Sequence, residues 1–496
     1  MGRRITIDPI TRLEGHGKIE IFLDEAGDVE NAFFQVPELR GFERFCVGRP
    51  AEEMARITTR LCGVCPWAHH IASAKCLDDL FKVELTSAAK KLRELAYSIY
   101  NFYDKTLNFY YLAAPDFVVG PQAPAAERNI LGVIDKVGME VAGSVIKHYR
   151  MARELLELIG GKANHPVCGL PGGMSRPITE EERQKIVEYS KEFVEFARFS
   201  LKIFDDVVLA NKEYLEIVTG DIYYMKTYYM GLVDENNKVN FYDGDIRVVD
   251  PEGKEFVRFK GQDYLEHVAE HVEEWTYLKF PYLKKIGWKG FIEGEGSSIY
   301  RVAPLARLNA ADGMATPLAQ AAYEQMYDTL GGKPVHHTLA FHWARLVEML
   351  YAAERSVELA EDPEVASPDV RTIPTATPSV GVGVVEAPRG TLFHHYETDE
   401  EGILTKVNLI VATGNNNAAI CMSVKKAAQK LIKGGHVSEG LLNMVEMAFR
   451  AYDPCFACAT HSLPGHMPLL INIYDTDKNL IKRLRRDGAN TCHRSR

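Results

Sequence analysis

The residues best able to do chemistry lie near opposite ends of the sequence. "RLCGVCPWAHH" carries Cys62 and Cys65, with His69 and His70 just behind them. "DPCFACATH" repeats the spacing with Cys455 and Cys458, flanked by Asp453, Pro454 and His461. A Cys-x-x-Cys spacing lets both sulfurs of a pair reach one ion, so two such pairs make a soft-metal site. Three readings are open at this point. Structural zinc accepts four thiolates, but its pairs usually stand about 15 to 20 residues apart, because a knuckle folds locally. Here Cys65 and Cys455 are 390 positions apart, so a shared ion ties together the two ends of a large fold. An iron–sulfur cluster also takes four cysteines, though commonly with most of them clustered in sequence. A thioredoxin-type dithiol needs a strand before it and a helix start behind, and has no use for a distant partner.

The elements that must bring these ends together can be read from periodicity. Residues 4–36 alternate as strands around a turn at Asp24-Glu25-Ala26-Gly27. Helical spacing follows in "SAAKKLRELAYSIYNFYDKTLNFYYLA" and in "NILGVIDKVGMEVAGSVIKHYRMARELLELIGG", which ends in paired glycines. "TEEERQKIVEYSKEFVEFARFSLKIFDDVV" opens with Thr179 and Glu182 in capping-box spacing. A β-rich insertion covers about 220–303, with "DPEG" joining two alternating runs, and helices return at about 317–361. Short strands in "VGVGVVEAPRG" and "KVNLIVATG" precede two further helices that end at "AFRAYDPCFAC". The expected fold is α+β and mainly helical, one interleaved domain over 1–461 with peripheral β regions.

Composition excludes several classes. The 496 residues are 46% hydrophobic and 25% charged, which suits an ordinary globular chain. A net charge of −10 without lysine- or arginine-rich runs argues against nucleic acid as a partner. No apolar run approaches the roughly 18 residues of a membrane span. The start "MGRRITIDPI" resembles a myristoylation or twin-arginine signal, but polar residues follow where an apolar region belongs. With nine sparse cysteines, no disulfide framework is expected, and the chain reads as cytoplasmic.

Flanking residues choose among the metal readings. "RLCGVCPWAHH" resembles the amino-terminal motif of nickel–iron hydrogenase large subunits, Arg-x-Cys-Gly-x-Cys-x-x-x-His, and "DPCFACATH" resembles their carboxy-terminal motif. "RLEGHGKI", "RGFERF", "YLAAPDFV" and "EAPRGTLFHH" match in order between them, so the likeness spans nearly the whole chain. The quinone-site subunit of respiratory complex I shares this fold as a scaffold without the paired cysteines, and a cofactor-free or zinc-binding scaffold is the alternative reading.

The resemblance implies reversible heterolytic cleavage of dihydrogen. It implies that Cys62, Cys65, Cys455 and Cys458 bind nickel, with Cys65 and Cys458 bridging to an iron that carries carbon monoxide and two cyanides. The Cys455 thiolate is then the base and Glu14 the next proton carrier. Arg389, preceded by Pro388, lies over the metals and is oriented by Asp116 and Asp453. His69 hydrogen-bonds a cysteine sulfur, and Glu43 and His461 hold a separate magnesium or iron ion.

The resemblance also implies partners. An iron–sulfur small subunit takes the electrons, and further flavin or iron–sulfur subunits carry them to NAD(P), a deazaflavin or a ferredoxin–disulfide pathway. Nickel-insertion proteins load the site, and a maturation protease then removes residues 462–496 by cutting behind His461. In this reading the extension holds Cys455 and Cys458 away from their final place until the metals are loaded. The remaining candidates have plainer expectations. His267 and His271 are expected on a solvated helix face. His336, His337 and His342 are expected in packing or at the surface, and Cys46, Cys76, Cys168 and Cys421 as buried small hydrophobes.

Overall fold

A computed structural model describes residues 4–460 throughout and, beyond them, only the backbone of strands Leu469–Tyr474, Leu480–Arg486 and Cys492–Arg494. The alternation at the start folds as an antiparallel meander of β1 (Arg4–Ile7), β2 (Lys18–Leu23) and β3 (Val29–Gln35). Ile19, Ile21 and Leu23 of β2 are buried while their neighbours are half-exposed, the period expected of a strand with one face in the core.

Helix α1 (Pro66–Leu80) begins directly behind Cys65, with Pro66 at the first position, where a missing N–H costs nothing. Helix α2 (Ser87–Leu107) starts at Thr86, whose hydroxyl accepts from the Ala89 N–H. It continues as two π-helical stretches, Asn108–Ala113 and Pro115–Val119. Helix α3 (Ile130–Gly160) kinks at Gly138, and α4 (Glu180–Phe204) carries the Thr179–Glu182 capping box in full.

The β-rich stretch contains β4 (Tyr228–Val233), β5 (Asp245–Val249), β6 (Glu255–Phe259), β7 (Val268–Val272), β8 (Lys279–Leu283) and β9 (Tyr300–Arg301). One sheet has the order β9-β4-β5-β6, and β7 pairs with β8. His267 and His271 depart from expectation here. His267 ends a one-turn helix and stacks on Phe259, whereas His271 lies in β7 and stacks on Trp288. "HVAEHV" fits either period, and pairing with β8 selects the strand.

Helices α5 (Pro304–Ala310), α6 (Pro317–Thr329) and α7 (Phe341–Glu361) follow, and α7 packs along α2 and α4 to form the helical centre. Strands β10 (Val380–Ala387), β11 (Gly390–Thr398) and β12 (Leu404–Ile410) make a third antiparallel sheet, on which α1 lies. The alternating glycines of "VGVG" permit that approach: a Cβ on Gly383 would stand 2.1 Å from the Ala72 carbonyl oxygen. Helices α8 (Asn417–Leu431), α9 (Glu439–Arg450) and the short α10 (Phe456–Ala459) close the described core. Among the described residues no helix is long and apolar enough to cross a membrane.

Candidate metal centre

The two cysteine pairs meet at one point. All four sulfurs lie within 4.8 Å of one another and all four residues are buried. Cys62 and Cys455 are 3.1 Å apart, Cys65 and Cys458 3.3 Å, and Cys455 and Cys458 2.9 Å. Each pair is shaped by a helix start: Cys65 precedes α1 and Cys455 precedes α10. The backbone N–H groups of Val64 and Cys65 donate to the Cys62 sulfur at 3.1 and 3.2 Å, which favours a thiolate there. Among the described residues this is the one group of His, Cys, Asp or Glu side chains placed to share an ion.

The donor set asks for a cation. Burial raises the Cys62 thiol, yet hydrogen bonds from Cys455, Cys458 and Cys65 outweigh it and hold Cys62 well below the usual thiol range. Burial pushes Cys455 and Cys458 well above that range; hydrogen bonds with Cys455 and Cys458 draw Cys65 down, but Cys62 and burial together raise it to about 11. The cage alone favours the thiolate at Cys62, and four thiolates need metal charge to coexist. Thiolate–metal bonds of about 2.3 Å let one soft ion, or two adjacent ones, take all four sulfurs.

Glu14 approaches the cage through its backbone. It forms a parallel bridge with Cys455, and the Phe456 N–H donates to its carbonyl at 2.9 Å. Gly15, at φ 90°, makes the passage possible, because a Cβ there would stand 2.8 Å from the Ala457 nitrogen. The Cys455 thiol donates to Glu14 Oε2 at 2.9 Å, and the Ala457 N–H donates to the same oxygen at 3.1 Å. Burial raises the Glu14 carboxyl above its ordinary range, and the Cys62 charge adds to this.

Pro388 and Arg389 are the two residues of the β10–β11 hairpin turn, since Ala387 pairs with Gly390. The turn is buried, and Arg389 lines a small cavity with Cys65, Cys455 and Cys458. Its guanidinium reaches Asp104 at 3.1 Å and Asp453 at 2.8 Å, and these carboxylates outweigh burial and keep it charged.

Asp116 does not orient Arg389, contrary to expectation. It accepts from Arg12 at 2.5 Å, from Arg450 at 3.0 Å and from Asn443 at 3.0 Å. The reason is helical geometry. Twelve residues turn a helix through about 1200°, leaving Asp116 about 120° away from the face of Asp104 before the π-helical stretches are counted. Asp116 instead ties the segment carrying Glu14 to α9. Asp104 was the residue to find, and its signal is a carboxylate on the buried stripe of α2 shared with Tyr97, Tyr100 and Asn101.

His69 Nε2 lies 3.4 Å from the Cys458 sulfur, as expected. Nothing in the residue pattern signals what stands behind it. His69 Nδ1 meets His394 Nε2 at 3.1 Å, His394 Nδ1 meets the Tyr396 hydroxyl at 2.6 Å, and Tyr396 donates to Ser73 at 2.9 Å. Thr413, whose hydroxyl accepts from the Cys455 N–H at 3.0 Å, was also missed. Glu43 is fully buried, accepts from the Leu409 N–H at 2.8 Å and lies 3.8 Å from Lys279 Nζ. His461, its expected companion, lies outside the described residues.

The plainer expectations hold for Cys46, Cys76, Cys168 and Cys421, all buried. They hold too for His336 and His342, which are buried among aromatic rings and pushed by burial to about 3. The expected role of residues 462–496 falls mostly outside the described residues, and within these the four sulfurs lie together.

Comparison with known proteins agrees with this geometry. The nickel-dependent hydrogenase family profile matches residues 40–131 and 144–461, and a HoxL-like profile matches residues 4–39. The chain belongs to the nickel-dependent hydrogenase family. It is 51% identical over 484 residues to an F420-non-reducing hydrogenase iron-sulfur subunit of Archaeoglobus profundus, covering 97% of this chain and 99% of that one. It is 37% identical to the NAD-reducing hydrogenase HoxS subunit beta of Cupriavidus necator, covering 97% of this chain and 99% of the other. Among solved structures, an NAD+-reducing [NiFe]-hydrogenase in the H2-reduced state superposes with a TM-score of 0.87 at 37% identity, covering 92% of this chain and 99% of that chain. The α+β fold is thus that of a hydrogenase large subunit, and this hydrogenase chain is an oxidoreductase catalytic subunit that cleaves dihydrogen at a nickel–iron site.

Proposed function

We propose that Cys62, Cys65, Cys455 and Cys458 all bind nickel, that Cys65 and Cys458 also bridge to iron, and that the iron carries one carbon monoxide and two cyanides. The cavity beside these sulfurs supports the reading. Arg389 and Thr413 give it a polar side, and Ala68, Leu392 and Val411 an apolar one. Arg389 Nε is buried with no hydrogen-bond partner among the described residues, a donor suited to a small anionic ligand. When bound, the group supplies an electron-poor metal pair on which dihydrogen is polarised.

This chain's own residues then handle the proton. The Cys455 sulfur receives it, the S–H bond breaks, and an O–H bond forms at Glu14 Oε2, 2.9 Å away. Arg389, held by Asp104 and Asp453, keeps a fixed positive charge over the site, where a low dielectric strengthens it. His69 steadies the Cys458 sulfur. The Cys455–Glu14 contact within the four-sulfur cage is the observation that carries the mechanism. Each dihydrogen yields two protons and two electrons, and the electrons leave through an iron–sulfur small subunit that fixes the final acceptor.

The proposal extends to the rest of the assembly: a cytoplasmic complex, with Glu43 and His461 holding a magnesium or iron ion. The active form ends at His461 after nickel-insertion proteins and a protease have acted. Metal analysis with infrared spectroscopy tests the centre, and nickel and iron with carbon monoxide and cyanide bands are expected. Zinc at one per chain without those bands refutes it. Intact mass tests the processing, which fails if the active, nickel-loaded chain still includes Arg496.

A further inference from the structure

A buried hairpin tip poses a problem that Arg307 solves. The Pro388-Arg389 turn is buried, and the carbonyl groups of a two-residue turn lie outside the strand ladder and need other partners. Arg307, on α5, donates to the Ala387 carbonyl at 2.9 Å and to the Pro388 carbonyl at 3.3 Å. The same guanidinium reaches Glu386 Oε2 at 2.7 Å. Three consecutive residues before Arg389 are therefore held by one side chain.

The other edge of Arg307 is equally committed. Its Nε donates to Glu348 Oε1 at 2.5 Å and a terminal nitrogen to Glu348 Oε2 at 2.7 Å. The five N–H groups of a guanidinium are thereby all engaged. Glu348 lies 3.4 Å from Lys105, the residue after Asp104, so the platform also touches the helix that carries the carboxylate holding Arg389. Glu386 is fixed in turn by the Leu232 N–H at 2.9 Å and the Thr391 hydroxyl at 2.8 Å. Two glycines permit the fit. A Cβ on Gly390 would stand 2.1 Å from Val302, just before α5, and one on Gly231 would stand 2.9 Å from the Arg307 backbone.

We propose that Arg307 is the positioning residue for Arg389: its guanidinium, anchored on Glu348, sets the Pro388-Arg389 turn and thereby the place of the Arg389 charge over the cysteine cage. The inference rests on the reading of Arg389 as the charge above the metals. Lysine cannot replace Arg307, because its donors radiate from one atom and cannot span two carboxylates and two carbonyls. Displacing a catalytic group by about 1 Å costs on the order of 100-fold in rate.

The test uses the purified, nickel-loaded holoenzyme in three variants, Arg307→Lys, Glu386→Gln and Arg389→Lys, each measured for nickel per chain, turnover and infrared bands of the iron-bound ligands. Glu386→Gln retains the acceptor for Leu232 and Thr391 while removing the charge facing Arg307, and it decides the matter if Arg307→Lys fails to load nickel. The expected result is a band shift in Arg307→Lys of the same sign as in Arg389→Lys, with turnover down about 10- to 100-fold at unchanged nickel. Glu386→Gln is expected to lie between wild type and Arg307→Lys. Wild-type bands and turnover in loaded Arg307→Lys or Glu386→Gln, beside shifted bands in Arg389→Lys, overturn this inference alone. Wild-type bands in Arg389→Lys overturn the placement of Arg389 itself, and the positioning role falls with it.

Discussion

Glu14→Gln is the sharpest perturbation of the proton path, because it separates holding a proton from holding a shape. The amide oxygen can still accept from the Ala457 N–H, which reaches the carboxylate at 3.1 Å, but it cannot take a proton from Cys455. The loss of one positioned acid–base group costs roughly 10²- to 10⁴-fold in rate, or about 3 to 5 kcal/mol of barrier. The stability change is far smaller. Exchanging a charged for a neutral acceptor in one hydrogen bond costs about 1 kcal/mol, which for a chain of this length shifts Tm by only about 1 °C.

The pH dependence of stability follows from the raised carboxyl. A group whose folded value lies above its ordinary 4.5 contributes stability that is complete below that value and lost as pH rises through the folded one. In the metal-free chain, Glu14→Gln should therefore be relatively more stable than wild type at alkaline pH and relatively less so in acid. The assay is deuterium–proton exchange by mass spectrometry at matched nickel content. Wild type should lose exchange on its acid limb as Glu14 becomes protonated, and Glu14→Gln should be slow throughout. Exchange within about threefold of wild type would remove Glu14 from the path, since losing the proton acceptor should cost at least about 10²-fold.

Asp104→Asn and Asp116→Asn should separate two carboxylates that look alike in sequence. Asp104→Asn leaves Arg389 with Asp453 alone and should lower turnover about 10- to 100-fold with nickel retained, as metal analysis beside activity will show. Asp116→Asn leaves Arg12 and Arg450 with Glu446 as their one remaining carboxylate and should cost about 3 kcal/mol, read as a fall in Tm. Burial pushes the Asp116 carboxyl up, but Arg450 and Arg12 outweigh it and hold it below its ordinary 3.8. Its contribution is therefore complete above about pH 4 and lost as pH falls through the depressed value, so acid unfolding should begin at higher pH in Asp116→Asn.

How much of this was legible in the sequence follows from what each residue depends on. The four cysteines, Glu14, Pro388 and Arg389 sit in short motifs whose local spacing survives folding, and the structure brings these residues to one place. Asp116 sits in an equally recognisable motif but beyond one π-helical stretch and at the start of a second, whose hydrogen-bond register no periodicity reveals. Asp104, His394, Tyr396 and Thr413 act through partners remote in sequence, and a single sequence carries no record of such contacts. The β-rich stretch was visible from alternation and turn residues, whereas the boundary between His267 and Val268 was not, because four-residue spacing of valine and histidine satisfies both periods.

The site is thus built where three chain segments meet, and each is held by an arginine. Arg12 and Arg450 share Asp116 and fix the approach of Glu14. Arg307, on Glu348 and Glu386, fixes the turn of Arg389. Arg40 donates to the carbonyls of Leu61 at 2.5 Å and Ala457 at 3.2 Å, one in each cysteine loop. Those that are buried in ion pairs gain little net stability from them, because desolvation consumes most of the attraction. What they supply is direction, since a planar fork with two or more acceptors holds a loop in one orientation. A cage that must present four sulfurs, a proton acceptor and a fixed charge within a few ångströms needs that direction from the protein itself. The packing of the chain supplies it, with Cys455, Glu14 and Arg389 placed around a common cavity or in direct contact.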